Sequence, residues 1–594
     1  MDLRVQKRTL EFIYNIVDNK ANNINFIKYK PQKETFMDNK PYVQPFLRST
    51  PEEQGISSQY IANFFNELSN EEDLNPHTIM ILRNGKVIAE GSFSPYKTDM
   101  WHVTHSLCKS IIGIAIGMLI DDKLLNLDDK IVKILEKYVN PLISLKKKTI
   151  TIEHLLTMST GIVFNETGAV TEDNWIKSYL ESNLRFEPGE KFAYNSMNSY
   201  ILSVIIKEVS GKGVMEFLQE RLWKPLGIEK IFWEQCPNGI EKGGWGLYML
   251  PEDMAKVGQL LLQQGIWNGK QLVSKEWISK MTSKKIDTPK EMGKYGYGYQ
   301  VWISARKNSY QFNGMLGQNV IVYPDINMVI VTTAGNSELF QHCRIMNLIE
   351  KYFAGNFMPK DKLPKDNREY KNLLKIEKNL GTKYSKWPLK QYYYNKLVGL
   401  IGDKLPKECK DINGKAYKMD SSPVGIIPLF IQALHNNYSK GIEKISFAIN
   451  ESKFYIIIKE GEEIYSLEVG FNEAIYNEIT INKEPYIIAC LGKFTTDEDD
   501  TLVLKLAMPF IETSNTRFLK VFFYKDKIIT EWNESPGMNL ILEGIDSVVG
   551  ALSKNNFINN IVSKGSSDYI MYKIRSSIEP RVCGKIEGGV NING

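Results

Sequence analysis

Cysteine is scarce in this chain and widely spread. Six cysteines in 594 residues (Cys108, Cys236, Cys343, Cys409, Cys490 and Cys583) form no CxxC pair, which excludes a disulfide-stapled scaffold or a zinc knuckle and leaves the reduced thiols of a cytoplasmic protein as the expectation. Histidine is as sparse. His102 and His105 make one HxxH pair, but no HExxH occurs and no acidic residue stands beside the pair, so neither a metal nor an organic cofactor is expected. Long apolar runs are missing too. The longest, from Ser110 to Ile120, falls well short of the ~20 residues that span a bilayer. The opening "MDLRVQKRTLEFIYNIVDNK" interrupts its apolar residues with charge too often for a secretory signal. A soluble protein without membrane insertion is therefore expected. Charge of one sign is also lacking: 74 basic against 69 acidic residues leave a net +5, and no basic stripe tracks a phosphate backbone, so a nucleic-acid partner is not expected. The short run Lys146, Lys147, Lys148 reads as a solvated loop.

The apolar content, 43%, is that of an ordinary globular protein, and the length exceeds what one hydrophobic core organises. "TIMILRNGKVIAEGSF" at 78–93 places two β-branched runs around Asn84-Gly85, a hairpin signal. From Ser106 to about Met281 the spacing turns helical, as in "IEHLLTMSTGI", "YILSVIIKEVSG" and "PEDMAKVGQLLLQQG". Strand character returns in "YGYGYQVWIS" and in "GQNVIVYPDINMVIVTTAG", a second hairpin turning at Pro324-Asp325. Strands at both ends with helices between predict one α/β (α+β) domain over residues 51–354, preceded by an N-terminal extension, 1–50. At 355–375 the composition shifts to Lys, Asp and Pro, as in a linker. Beyond it, 376–594 carries alternating runs such as "KFYIIIKE" and "TLVLKLAMPF", which predict a β-rich barrel or sandwich. Asp497 to Asp500 lack the glycine and distal glutamate of a calcium loop and read as a turn.

The chemistry concentrates in "WHVTHSLCKSIIGIAIGMLI", 101–120. Ser106 and Lys109 are three apart, which on a helix puts them on one face, as a nucleophile and its base require. Burial against Ile111, Ile112, Ile114 and Ile116 disfavours the ammonium, and the positive end of the helix dipole does so again, so a neutral amine is expected. The helix start leaves the Ser106 amide available to a developing oxyanion. Cys108, two positions on, faces elsewhere and reads as a small buried thiol. SxxK recurs at Ser94/Lys97, Ser144/Lys147 and Ser304/Lys307, but none of these opens an apolar helix. Downstream, Tyr194 follows a Pro-Gly turn and precedes a helix, and Gly314 and Gly317 begin a strand where a ligand can approach the backbone.

From about Pro51 to Phe353 these residues resemble the serine β-lactamase and penicillin-binding-protein-like hydrolases, in particular the branch of class C β-lactamase-fold esterases and aminohexanoate-oligomer hydrolases. The resemblance rests on "SLCK" at 106, "HLLTMSTGI" at 154, "PGEKFAYNS" at 188, "GWGLYMLPEDMAKVGQLLLQQGIWNGKQLVSKEW" at 244 and "GMLGQNVIVYPDINMVIVTT" at 314. It implies a β-lactamase/transpeptidase-like fold, an antiparallel sheet with flanking helices and a helical subdomain. It also implies Ser106 as acylated nucleophile, Lys109 as base, Tyr194 as proton shuttle, and the backbone amides of Ser106 and Met315 as oxyanion hole. Ser196, Phe312, Asn313, Gly314, Gly317 and Gln318 are the substrate-binding positions it suggests. Two departures stand out. Ser196 replaces the asparagine two residues after the tyrosine, and Phe312-Asn313-Gly314 replaces a motif that begins with a lysine or histidine. That cation helps hold a substrate carboxylate, so its absence argues against β-lactam and peptidoglycan substrates. "FEPGE" belongs to the Pro-Gly turn, and Glu187 has no catalytic role. The expectation is a serine hydrolase of a small ester or amide. The rivals are a D-amino-acid peptidase or amidase or a β-lactamase-like enzyme acting on cell-wall-type substrates, with Arg306 or Lys307 as replacement cation, and a binding or sensor protein that keeps the fold without catalysis.

Overall fold

Asn84 and Gly85 take φ of 51° and 71°, the backbone a two-residue reversal needs, and Pro76–Arg83 (β2) accordingly folds back on Lys86–Ser92 (β3). The computed structural model describes residues 8, 11, 15, 30–36, 43–169, 171–341, 343–381, 405–422, 424–537 and 579–587. They fall into two compact units. Among the described residues, one comprises those from 36 to 380, the other those before 36 and those from 381 onward.

The first unit is built on a seven-stranded sheet. Leu47–Arg48 (β1), β2 and β3 are joined by Trp302–Ile303 (β4), Tyr310–Gly314 (β5), Gln318–Tyr323 (β6) and Met328–Ala334 (β7), in the order β1-β3-β2-β7-β6-β5-β4. All neighbours are antiparallel except β1 on β3. Alternation along the strands sorts the apolar side chains onto two faces. Ile79, Ile81, Ile321 and Ile330 meet Ser58–Asn70 (α1) and Arg344–Phe353 (α5). Met80, Leu82, Val320 and Val331 meet the larger helical layer, which contains Cys108–Asp121 (α2), Ser196–Ser210 (α3) and Pro251–Leu262 (α4). This is the antiparallel sheet, flanking helices and helical subdomain that the sequence predicts.

Three local readings are corrected. The stretch 355–375, read as a linker, contributes to a helix, Asn367–Lys378 (α6), capped by the Asp366 side chain on the Arg368 and Glu369 amides. Leu373 is buried on the α1 side of the sheet. One buried leucine among charged residues suffices to dock a helix but leaves the composition linker-like. Within the run read as a solvated loop, Lys147 turns inward and donates to Ser182 O. Burial pulls its ammonium down to about 8. Finally, residues 43–48 of the expected N-terminal extension are integral to the first unit: Glu252 Oε1 accepts the Phe46 amide (2.6 Å), and Arg48 pairs with Glu252 (2.9 Å) and Glu90 (3.0 Å).

Among the described residues, the second unit holds a ten-stranded sheet whose paired neighbours are antiparallel. Its strands are Ala416–Met419 (β8), Ile442–Asn450 (β9), Lys453–Glu460 (β10), Glu463–Glu468 (β11), Ile475–Ile481 (β12), Glu484–Thr496 (β13), Leu502–Pro509 (β14), Thr516–Phe523 (β15), Lys527–Ser535 (β16) and Arg581–Glu587 (β17). They run β11-β10-β9-β8-β17-β16-β15-β14-β13-β12. The edge strands nearly close the sheet, because Asn477 of β12 accepts from the Glu468 amide (2.8 Å) and donates to the Glu468 carbonyl (3.0 Å) of β11. Of the two β architectures expected, the barrel-like one is adopted. Asp497 Oδ1 accepts the Asp499 and Thr501 amides, so the acidic cluster is a hairpin turn.

Residues 30–36 include Lys33, whose Nζ lies 2.6 Å from Glu512 Oε2 with both side chains buried. Removing one partner of a buried pair leaves the other charge uncompensated. Lys33→Ala is expected to cost the barrel about 3–5 kcal/mol, read as faster amide hydrogen exchange in β13 to β15 with the first unit unaffected. Unchanged exchange there would mean that the pair contributes no stability.

Candidate active site

Ser106 does not open the long helix itself. It sits in a 3-10 turn, His105–Leu107, that feeds α2, and it is partly exposed. The turn is held from both sides. Thr104 donates its amide (2.7 Å) and its hydroxyl (2.9 Å) to Leu247 O, and His105 is buried in the left-handed region at φ 49°. A non-glycine residue there is sparsely populated backbone, of a kind that clusters at functional sites. His102 donates through Nδ1 to Val103 O (2.9 Å), and its Nε2 accepts from His77 Nδ1 (3.0 Å).

In the first turn of α2, Lys109 is buried, with Nζ 2.8 Å from Ser106 Oγ and 2.6 Å from Gly244 O, to which it donates. The same Nζ lies 5.0 Å from the centre of the Tyr194 ring. The expected serine, lysine and tyrosine therefore meet. Tyr194 stands between the Pro188-Gly189 turn and α3, whose N-cap, Asn195, accepts the Met197 amide. Its ring stacks on Trp302 (centroids 6.0 Å) and meets Phe340 edge-on (5.6 Å). Cys108 points away, as the helical spacing requires, and its thiol donates to Gly243 O (3.3 Å). Burial pushes that thiol up to about 12, so it is no nucleophile at neutral pH.

The glycine strand approaches from the other side. A Cβ on Gly314 would collide with Thr104 O and come within 3.2 Å of the Leu107 amide nitrogen. Only a glycine lets β5 lie this close to the Ser106 turn. The next residues reverse sharply, Leu316 at φ 68° and Gly317 at φ 97°. Leu316 donates its amide to Glu338 O (2.9 Å) and accepts at its carbonyl from Asn336 N (3.1 Å). Gln318 Nε2 donates to Met315 O (3.2 Å) and Ala334 O (2.7 Å). Met315 is held, partly exposed, on a rigid turn that directly follows Gly314.

Residues 62–339 match the family model described as Beta-lactamase. They form a beta-lactamase-family domain. A curated relative, the 6-aminohexanoate-dimer hydrolase of Paenarthrobacter ureafaciens, is 25% identical over 316 residues, covering 48% of this chain and 79% of that protein. Among solved structures, EstCE1, described as a hydrolase with promiscuous acyltransferase activity, is 16% identical, covering 50% of this chain and 99% of its own at a TM-score of 0.43. A family VIII carboxylesterase is 15% identical, with 52% and 99% covered and a TM-score of 0.42. The beta-lactamase-family domain lies within the first unit, and the protein is a serine hydrolase.

Several residues expected to bind substrate lie elsewhere in the beta-lactamase-family domain. Phe312 has no exposed surface and packs beside Tyr310 in the core shared with α2. An apolar ring at this strand position gains more from the core than from a cleft. Asn313 donates to Asn319 Oδ1 (2.8 Å) on the opposite face of β5. Gln318 and Gly317 shape the Met315 turn, and buried Ser196 packs its backbone against Gly244, where a Cβ would come within 2.6 Å of Ser196 O. Arg306, named as a replacement cation, is held by Asp325 (2.6 Å) and by the carbonyls of Phe353 and Phe357. Trp302, Phe340 and the Gly244 carbonyl were not anticipated. The Gly243-Gly244 pair was a legible sign of close backbone approach, whereas one aromatic residue among many carries no such mark.

Proposed function

We propose that the protein cleaves a small ester or amide through an acyl-enzyme on Ser106. The observation that carries this reading is the 2.8 Å separation of Lys109 Nζ and Ser106 Oγ. Nζ donates to Gly244 O and stands within hydrogen-bonding reach of Oγ, the position from which a lysine base takes the serine proton. In acylation the Oγ–H proton passes to Lys109 as the Oγ–C bond forms, and the carbonyl oxygen becomes an oxyanion facing the Ser106 and Met315 amides. Collapse breaks the bond to the leaving group, which takes a proton through Tyr194 and departs as alcohol or amine. Water then attacks the acyl-enzyme, gives its proton to the same base and releases the acid, restoring Ser106. The relative named as a 6-aminohexanoate-dimer hydrolase supports the amide side of this reading.

Phe312 in the core and Arg306 committed to Asp325 leave neither of those positions to receive a substrate carboxylate. Short-chain esters are therefore expected to be hydrolysed with a kcat/KM at least about a hundredfold above that for nitrocefin, roughly the value of a lost charge-assisted contact. The test is a panel of p-nitrophenyl esters, linear amides, D-peptides and nitrocefin, with a fluorophosphonate adduct mapped to Ser106 by mass spectrometry. Nitrocefin turnover as fast as the best ester would refute the argument from the missing cation. An unlabelled Ser106 would refute the acyl-enzyme.

A further inference from the structure

Between β7 and α5 the chain passes beside the Met315 turn, to which backbone bonds between Asn336, Leu316 and Glu338 stitch it. Two residues further, Phe340 reaches Tyr194, edge to face at 5.6 Å. Tyr194 lies against Trp302, and Phe192, Tyr297 and Met292 pack in the same cluster. Trp302 is 2% exposed and forms the backing, while Tyr194 and Phe340 keep part of their surface open. Tyr194, Trp302 and Phe340 thus form an aromatic wall close to Lys109 Nζ, and none of its members carries a formal charge.

Such a wall discriminates by shape and polarity. A ring entering beside Tyr194 and Phe340 finds the offset and edge-on partners that aromatic pairs prefer, at centroid distances of about 4.5–7 Å, and it removes apolar surface from water. A small or charged group gains neither. Because the wall centres on Tyr194, and that residue protonates the departing group in the reading above, the group selected is the leaving group.

We propose that Phe340 is a specificity-determining residue of this site, and that the site takes esters or amides whose leaving group bears an aromatic ring or an apolar group of similar size. The inference rests on the acyl-enzyme reading. Its test is kcat/KM for benzyl acetate and ethyl acetate in the wild type, Phe340→Ala and Phe340→Tyr, with fluorophosphonate labelling of Ser106 in parallel. kcat/KM reports acylation whichever step limits turnover. The wild type is expected to favour the benzyl ester by about tenfold or more. Phe340→Ala should lose most of that preference, with the benzyl ester falling by about tenfold more than ethyl acetate, and Phe340→Tyr should restore it. An unchanged preference in Phe340→Ala, or an equal fall for both esters with labelling intact, would overturn the role of Phe340 and leave the hydrolase standing. A wild type that neither labels nor turns over either ester would remove the acyl-enzyme and this inference together.

Discussion

Ser106→Ala is expected to abolish ester turnover and fluorophosphonate labelling together, a loss of about four orders of magnitude or more in kcat, because removing the nucleophile of such a unit leaves only the catalysis due to binding and the oxyanion hole. In the wild type the probe's phosphorus bonds to Oγ, fluoride leaves, and the hydroxyl proton goes to the base. Without Oγ no such bond forms. Cys108→Ser should retain most of both activities, since that thiol is buried, protonated and bonded to Gly243 O. The pair of variants separates the two sulfur- and oxygen-bearing candidates in "SLCK". Covalent labelling that persists in Ser106→Ala would overturn the assignment, and labelling lost in Cys108→Ser with Ser106 intact would redirect it to the thiol.

Lys109→Arg should lose nearly all acylation, by about a thousandfold, the usual range for a deleted general base. Arginine is always positively charged: its guanidinium does not release a proton near neutrality and cannot act as a base. It must also fit where Nζ sits within 2.8 Å of Ser106 Oγ and 2.6 Å of Gly244 O. The assay is single-turnover release of p-nitrophenol, with near-UV circular dichroism to establish that the variant is folded. A lysine that served only as a counter-charge would accept arginine at modest cost. Acylation by folded Lys109→Arg at close to the wild-type rate would move the base function to Tyr194, whose ring is already 5.0 Å from Nζ.

What could be read along the chain depended on distance along the chain. Asn84-Gly85 specifies its hairpin because the turn conformation belongs to those two residues, and Ser106 and Lys109 share a helical face because three residues separate them. Where several bonds in space decide a side chain's place, the local pattern was insufficient. Asn367–Lys378 has a composition that suits a loop as well as a one-sided helix, and only the groove against α1 settles which it becomes. Lys147 looks like its neighbours Lys146 and Lys148 until the Ser182 carbonyl is placed behind it.

By itself the sequence determined the strand and helix periods, the α+β character of the first unit, the β-rich second one and the shared helical face of Ser106 and Lys109, because each is written in spacing or turn chemistry. Tertiary structure alone decided that Phe312 belongs to the core and not to the cleft, that Gln318 braces the Met315 turn, and that Phe340 faces Tyr194. Which face of a strand meets the substrate depends on which helices cover the other face. That is set by the packing of segments two hundred residues apart in sequence, such as α2 and β5, and side-chain identity at one position cannot encode it.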